Sequence, residues 1–270
     1  MLEDFSPDRT LPAPAATATR SAISKVPEVT ALFWVIKVLT TGMGETTSDY
    51  LAHTIDPVVA VAIGALCFAA ALALQFSVKR YIPWVYWLAV AMVSVFGTMA
   101  ADVLHVGLGI PYLVSTIFYA VVLAVVFLLW HRTEKTLSIH SIHTPRREMF
   151  YWAAVLATFA LGTAAGDLTA VTLKLGYLGS GVLFAVVIAV PALAYWKFRL
   201  KAIPAFWAAY IVTRPLGASF ADWMGVSHER GGLDWGTAQV SIGWAAAIAV
   251  LVAVLAAGQR HAKAAATVSR

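Results

Sequence analysis

One spacing recurs four times along the 270 residues and restricts the chain to a fold made of four like parts: Phe/Tyr-Trp-x9-Gly-x4-Asp. The copies are Phe33-Trp34/Gly44/Asp49, Tyr86-Trp87/Gly97/Asp102, Tyr151-Trp152/Gly162/Asp167 and Phe206-Trp207/Gly217/Asp222. Four copies of one spacing are the mark of internal duplication. Each aspartate ends an otherwise apolar run, so the repeated part reads as an apolar helix carrying an acid near its end.

The surroundings of the motif set the class. With 60% hydrophobic and 12% charged residues, the chain is too apolar for a soluble domain and fits a polytopic membrane protein. Eight apolar stretches, near 29–50, 57–78, 83–105, 111–130, 149–173, 177–196, 203–224 and 236–257, are each long enough to cross a layer of about 30 Å as a helix. The motif sits on the first helix of each pair. The expectation is therefore an all-α membrane protein with eight transmembrane helices arranged as four parallel two-helix repeats. The second helices of the middle units support the duplication, because Tyr112–Val122 aligns with Tyr177–Val187.

Charge orients the helices. The N-terminal tail, the links after even-numbered helices and the C-terminal tail hold 15 of the 19 Lys and Arg residues, which places both termini in the cytoplasm. The parts follow as a disordered cytoplasmic tail over 1–25, repeats one and two over 26–130, a cytoplasmic loop over 131–148, repeats three and four over 149–258, and a cytoplasmic tail over 259–270. A basic balance of +5 is then a topology signal, with no nucleic-acid partner implied. The single Cys67 excludes an internal disulfide framework and reads as a packing residue. Each leading Trp is expected as an aromatic anchor at the cytoplasmic interface.

Within the motif, a small residue (Ser48, Ala101, Gly166 or Ala221) follows the glycine by four, a stripe that lets helices approach closely in lipid. The aspartates are harder to explain as packing, because a charge at membrane depth costs on the order of 2.5–3.5 kcal/mol. Asp49, Asp102, Asp167 and Asp222, joined by Glu45 on the face of Asp49, point to a cluster of oxygen ligands, with Thr41, Thr98 and Thr163 lining the same faces. Lys37 and Arg214 are the two candidate counter-charges; the alternatives are that Lys37 snorkels to the interface and that Arg214 pairs with an aspartate. His53, His105 and His228 each follow a motif aspartate and are candidates for an outer mouth, with Asp102 and His105 at i,i+3 able to share a ligand.

The run Lys25–Trp34, followed by Lys37-Val38-Leu39-Thr40-Thr41, Gly44-Glu45-Thr46 and Asp49, resembles the first unit of a bacterial family of uncharacterised membrane-anchored proteins built from a "repeat of unknown function". The resemblance covers about residues 25 to 258. It implies a repeat architecture and a multi-pass place in the bacterial inner membrane, and brings no chemistry. Repeat four departs most, with Arg214-Pro215 and Ala218 where repeat one has Thr41-Gly42 and Glu45.

Two function classes fit these residues. In the first, a cation transporter, the acids bind a hard divalent ion or exchange protons, the lipid bilayer and a small cation being the only partners implied. In the second, a non-transporting assembly factor, sensor or partner subunit, the acids pair internally to fix helix register. An enzyme is not expected: two membrane aspartates sharing a proton would be the one route, and no nucleotide loop, Ser-His-Asp order or HExxH helix is present. Cofactor and oligomeric state are left open.

Overall fold

Threonine, aspartate and proline set the helix starts in the computed structural model, which describes residues 24–268, with side chains through 260. Helix α1 (Ala31–Thr54) begins at Thr30, whose hydroxyl accepts from Phe33 N at 3.2 Å. Helix α2 (Pro57–Ser77) begins at Asp56, whose carboxylate accepts from Val58 N and Val59 N, with Pro57 in the first turn, where its missing N–H leaves nothing unpaired. Helices α3 (Pro83–Asp102) and α5 (Pro145–Asp167) also start at proline. Both loosen into a π turn immediately after the motif aspartate, over Val103–Gly107 and Leu168–Thr172.

The remaining helices are α4 (Tyr112–Glu134), α6 (Gly176–Val187), α7 (Ala189–Phe198), α8 (Ala202–Gly225) and α9 (Thr237–Val268). Helices α6 and α7 are halves of one apolar stretch. The break at Ile188 has a local cause: Pro191 cannot donate to Val187, and its ring crowds that carbonyl. Among the described residues the fold is all-helical, without strands. Six spans are long and apolar enough to cross a membrane: α2, α3 with its π turn, α4, α5 with its π turn, α6–α7, and α9 as far as Arg260. The other two motif helices, α1 and α8, have 24 residues each but carry Lys37, Glu45 and Asp49, and Arg214 and Asp222.

The four motif helices make a closed ring. Helix α1 packs on α3, α3 on α5, α5 on α8, and α8 back on α1. Outer helices do not sit mainly on the inner helix of their own repeat. Instead α2 packs chiefly on α3, α4 on α5, α6 on α8, and α9 closes the circle on α1. Each repeat thus covers the next. The outward faces stay apolar and exposed, as at Val58, Leu66, Val114, Val121, Val186 and Ile242. Cys67, expected inside, lies on this exposed surface of α2.

The same rotation is written in the motif residues. A methyl group on Gly44 would overlap Ser94, on Gly97 Phe159, on Gly162 Arg214, and on Gly217 Thr41. These four partners stand eight residues before the aspartate of the following repeat, so each glycine admits the next inner helix at one fixed level. The aromatic pairs obey the same rule. Phe33 packs on Trp87 at 5.7 Å between ring centroids, Tyr86 on Trp152 at 5.7 Å, Tyr151 on Trp207 at 6.2 Å, and Phe206 on Trp34 at 5.6 Å. Three of the four tryptophans therefore point inward rather than to an interface: Trp87, Trp152 and Trp207 are 2%, 2% and 4% exposed because they join neighbouring repeats, while Trp34 is half-buried.

The aromatic end of the ring is covered. Ile139 and Ile142 of the connection after α4 are buried in the aromatic core, and Trp207 Nε1 donates to Leu137 O at 2.9 Å. Ser24 and Lys25, expected within a disordered tail, are also buried: Lys25 Nζ lies 2.5 Å from Glu148 Oε2, and Gln75 Nε2 donates to Glu148 Oε1 at 2.9 Å. Residues 1–23 of that tail lie outside the described residues. At the other terminus, the segment expected as a tail from 259 continues α9 to Val268.

Candidate functional site

Because the inner helices meet at matching levels, polar side chains from all four repeats gather in the ring. The deepest group is Arg214, which is fully buried. Its Nη2 donates to Glu45 Oε2 at 2.5 Å and to Thr163 Oγ1 at 2.7 Å and also touches Thr98 Oγ1, while Nη1 donates to Thr41 O at 2.6 Å. Thr98 and Thr163 in turn donate to Glu45 Oε2 at 3.1 and 3.4 Å. One guanidinium therefore ties repeats one, two and three to repeat four. Glu45, Thr98 and Thr163 share a register four residues before their aspartates. Repeat four has Ala218 there, which leaves room for the longer Arg214 to reach up from one turn below.

Of the two readings of Arg214, pairing with an aspartate is corrected: its partner is Glu45. Lys37 does not snorkel. It is 1% exposed, and its Nζ sits over the rings of Phe159 at 4.0 Å and Tyr210 at 4.4 Å, without a hydrogen-bond acceptor among the described residues. Phe159 also lies beneath Arg214, at 5.2 Å from Cζ. The aromatic faces supply the negative potential that a cation needs where no carboxylate is in reach.

Toward the other end of the ring come the motif acids. His105, on the π turn after Asp102, places Nε2 3.0 Å from Asp102 Oδ1 and 3.3 Å from Asp167 Oδ2, joining repeats two and three. Its Nδ1 lies 3.5 Å from Ser115 Oγ. Asp222 is buried, with Oδ1 lacking a hydrogen-bond partner among the described residues, and lies within the electrostatic reach of Glu45, Asp49 and Asp167. Asp49 in turn feels Glu45, Asp102 and Asp167. All four aspartates and Glu45 thus belong to one electrostatic cluster.

The three candidate histidines of the outer mouth do not converge. His53 Nδ1 bonds to Asp49 O at 2.7 Å and His228 Nδ1 to Gly232 O at 2.9 Å, both local contacts, and of the three only His105 turns in toward the acids. The physical reason is the helix register. The π turn widens the helix under His105, whereas His53 lies four residues past its aspartate on an ordinary α-helical turn and His228 lies beyond the end of α8.

Several contributing residues were not singled out from sequence: Phe159 and Tyr210 beneath the cations, Ser115 behind His105, and Thr169, whose hydroxyl touches Ser180 in the equivalent place of repeat three. Ser115 and Ser180 align in the duplicated second helices, which is the sequence signal for both. Tyr86 and Tyr151 share a hydroxyl contact at 2.5 Å in the aromatic layer.

A family-wide sequence model, the Repeat of Unknown Function (DUF347), matches this chain four times, over residues 32–81, 85–136, 150–200 and 205–261. Each match covers one inner helix and its following outer helix. No curated protein and no solved structure matches the chain.

Proposed function

The chain belongs to the family of this repeat, and from that premise we propose that it crosses the membrane eight times and moves a cation along the axis of its inner ring. The observation that carries this reading is the convergence of five carboxylates and two cationic side chains, from all four repeats, into one ring of helices that otherwise shows lipid-compatible faces. Helices α1 and α8 complete the eight crossings, since their charged residues face the ring interior rather than lipid. Lys79, Arg80, Arg146, Arg147, Lys197, Arg199 and Lys201 fall at the aromatic end, which supports a cytoplasmic place for that end and both termini; the bacterial inner membrane is the setting we propose.

A cation arriving at the acid end meets Asp49, Asp102, Asp167 and Asp222 first and Glu45 next. Farther in, Arg214 and Lys37 oppose it, and Phe159 with the aromatic layer fills the axis. The Glu45–Arg214 pair acts as the closed gate: a cation that takes Glu45 as its own partner releases the guanidinium. The test is flux in proteoliposomes with Asp102→Asn, Asp167→Asn and Glu45→Gln, using folded yield as the control. Wild-type flux of protons or divalent cations that each substitution lowers at least tenfold supports the reading; wild-type vesicles no leakier than empty ones sink it.

One observation favours the alternative of a non-transporting membrane subunit, namely that Glu45 Oε2 is held at once by Arg214 and the two threonines, as in a structural clasp. In that case the same vesicles carry no flux, while Glu45→Gln lowers folded yield and capture of a partner.

A further inference from the structure

We propose that Asp102, His105 and Asp167 form a single capture site for a divalent transition-metal ion with borderline ligand preference, the class of Mn2+, Fe2+, Co2+ and Zn2+. This deepens the translocation reading by naming its substrate class, and rests on that reading for everything after the binding step.

Two of the three donor–donor distances are those of a coordination polyhedron. Metal–ligand bonds of about 2.0–2.2 Å put neighbouring ligand atoms roughly 3.0–3.5 Å apart in octahedral or tetrahedral arrangements. His105 Nε2 stands 3.0 Å from Asp102 Oδ1 and 3.3 Å from Asp167 Oδ2, and the three donors lie within 4.8 Å of one another. An ion fits between them with small side-chain adjustment.

The environment of the imidazole suits a ligand. Ser115 Oγ donates to Tyr112 O at 3.1 Å, which leaves its lone pairs to accept from His105 Nδ1–H at 3.5 Å. Without an ion, Nε2–H donates to the carboxylates; an arriving ion takes the place of that proton, which leaves to solvent, while Nδ1–H stays on Ser115, the arrangement by which an outer hydrogen bond orients a metal-binding histidine. Tyr112 packs beside the imidazole, 4.7 Å between ring centroids, and the His105 side chain is only 1% exposed. The carboxylates remain reachable, at 29% for Asp102 and 20% for Asp167. A second observation points the same way: Asp222, beside them in the acid layer, keeps a buried Oδ1 with no hydrogen-bond partner among the described residues.

Duplication tells us that the site is single. The positions equivalent to His105 are Ala52, Ala170 and Gly225, so only the junction of repeats two and three offers nitrogen. One imidazole with carboxylate oxygens selects borderline ions over Mg2+ and Ca2+, which prefer all-oxygen shells.

The experiment is titration of the purified full-length chain with Zn2+, Mn2+ and Mg2+ by equilibrium dialysis, together with the visible spectrum of the Co2+ form. Expected results are one equivalent of Zn2+ per chain, no competition from a hundredfold excess of Mg2+, and Co2+ bands that show a nitrogen ligand. His105→Ala is expected to weaken Zn2+ at least a hundredfold and Ser115→Ala about tenfold, while His53→Ala, at the exposed histidine of the same end, changes nothing. Wild-type protein without Zn2+ binding, binding that survives His105→Ala, or equal competition by Mg2+ overturns the proposal. If His105→Ala does not fold, the Co2+ spectrum of the unaltered chain decides, and absent ligand bands overturn the site. The two readings fail separately: binding without vesicle flux removes translocation and keeps the site, whereas proton flux without metal binding removes the site and keeps the pathway.

Discussion

Arg214 is the residue that turns four similar helices into one site. It stands where the other repeats have Thr41, Ser94 and Phe159, and it contacts each of the remaining three repeats. Removing one member of a buried, hydrogen-bonded pair leaves the other charge uncompensated, at a cost of about 3–5 kcal/mol. Arg214→Met and Glu45→Leu are each expected to lower stability by that amount in detergent denaturation, whereas the double variant recovers most of the loss; additive losses would mean that the pair is not coupled. That Arg214 and Glu45 serve as interior charges could be read from their place in apolar runs. Their pairing could not, because they differ by one helical turn in repeat register, and only the length of arginine and the small Ala218 bring them level. Lys37 was open for a similar reason: the aromatic faces that hold it, Phe159 and Tyr210, come from repeats three and four.

At the scale of the helix, the repeated glycine is a docking point for the neighbour, and its register is legible in the Trp-Gly-Asp spacing. Gly162→Val would drive side-chain atoms into Arg214 and Pro215, so a loss of at least about 1–3 kcal/mol is expected. Gly243, on α9 with open space around it, supplies the contrast: Gly243→Ala should leave the melting temperature equal or higher, since alanine is the better helix former by up to about 1 kcal/mol. Equal losses at the two glycines would contradict the docking role. Tyr86→Phe removes one hydroxyl of the pair with Tyr151, and a decrease of about 1 kcal/mol is the expected result in the same assay. Less legible was the partner of each outer helix. Short links suggest that a hairpin packs on itself, but the glycine stripe brings the next inner helix so close that the outer helix finds its broadest surface there. The π turns after Asp102 and Asp167 also left no composition signal, although the first of them aims His105.

Across the whole molecule, covering each repeat with the one before it makes a circle without a free end, in which α9 seals α1. A chain divided in the link after α4, between Lys135 and Thr136, should therefore reassemble when both pieces are expressed together. Co-elution of an untagged second piece with a tagged first piece is the expected result, and separate elution with both pieces stable would show that neither needs the other. Closure also has a consequence in time. Glu45 is synthesised 169 residues before Arg214, a delay on the order of 10–30 s at ribosomal rates of about 5–20 residues per second. Throughout that interval the nascent first helix carries an acid and a lysine whose permanent neighbours do not yet exist, so the insertion machinery must shelter it until the last quarter of the chain arrives.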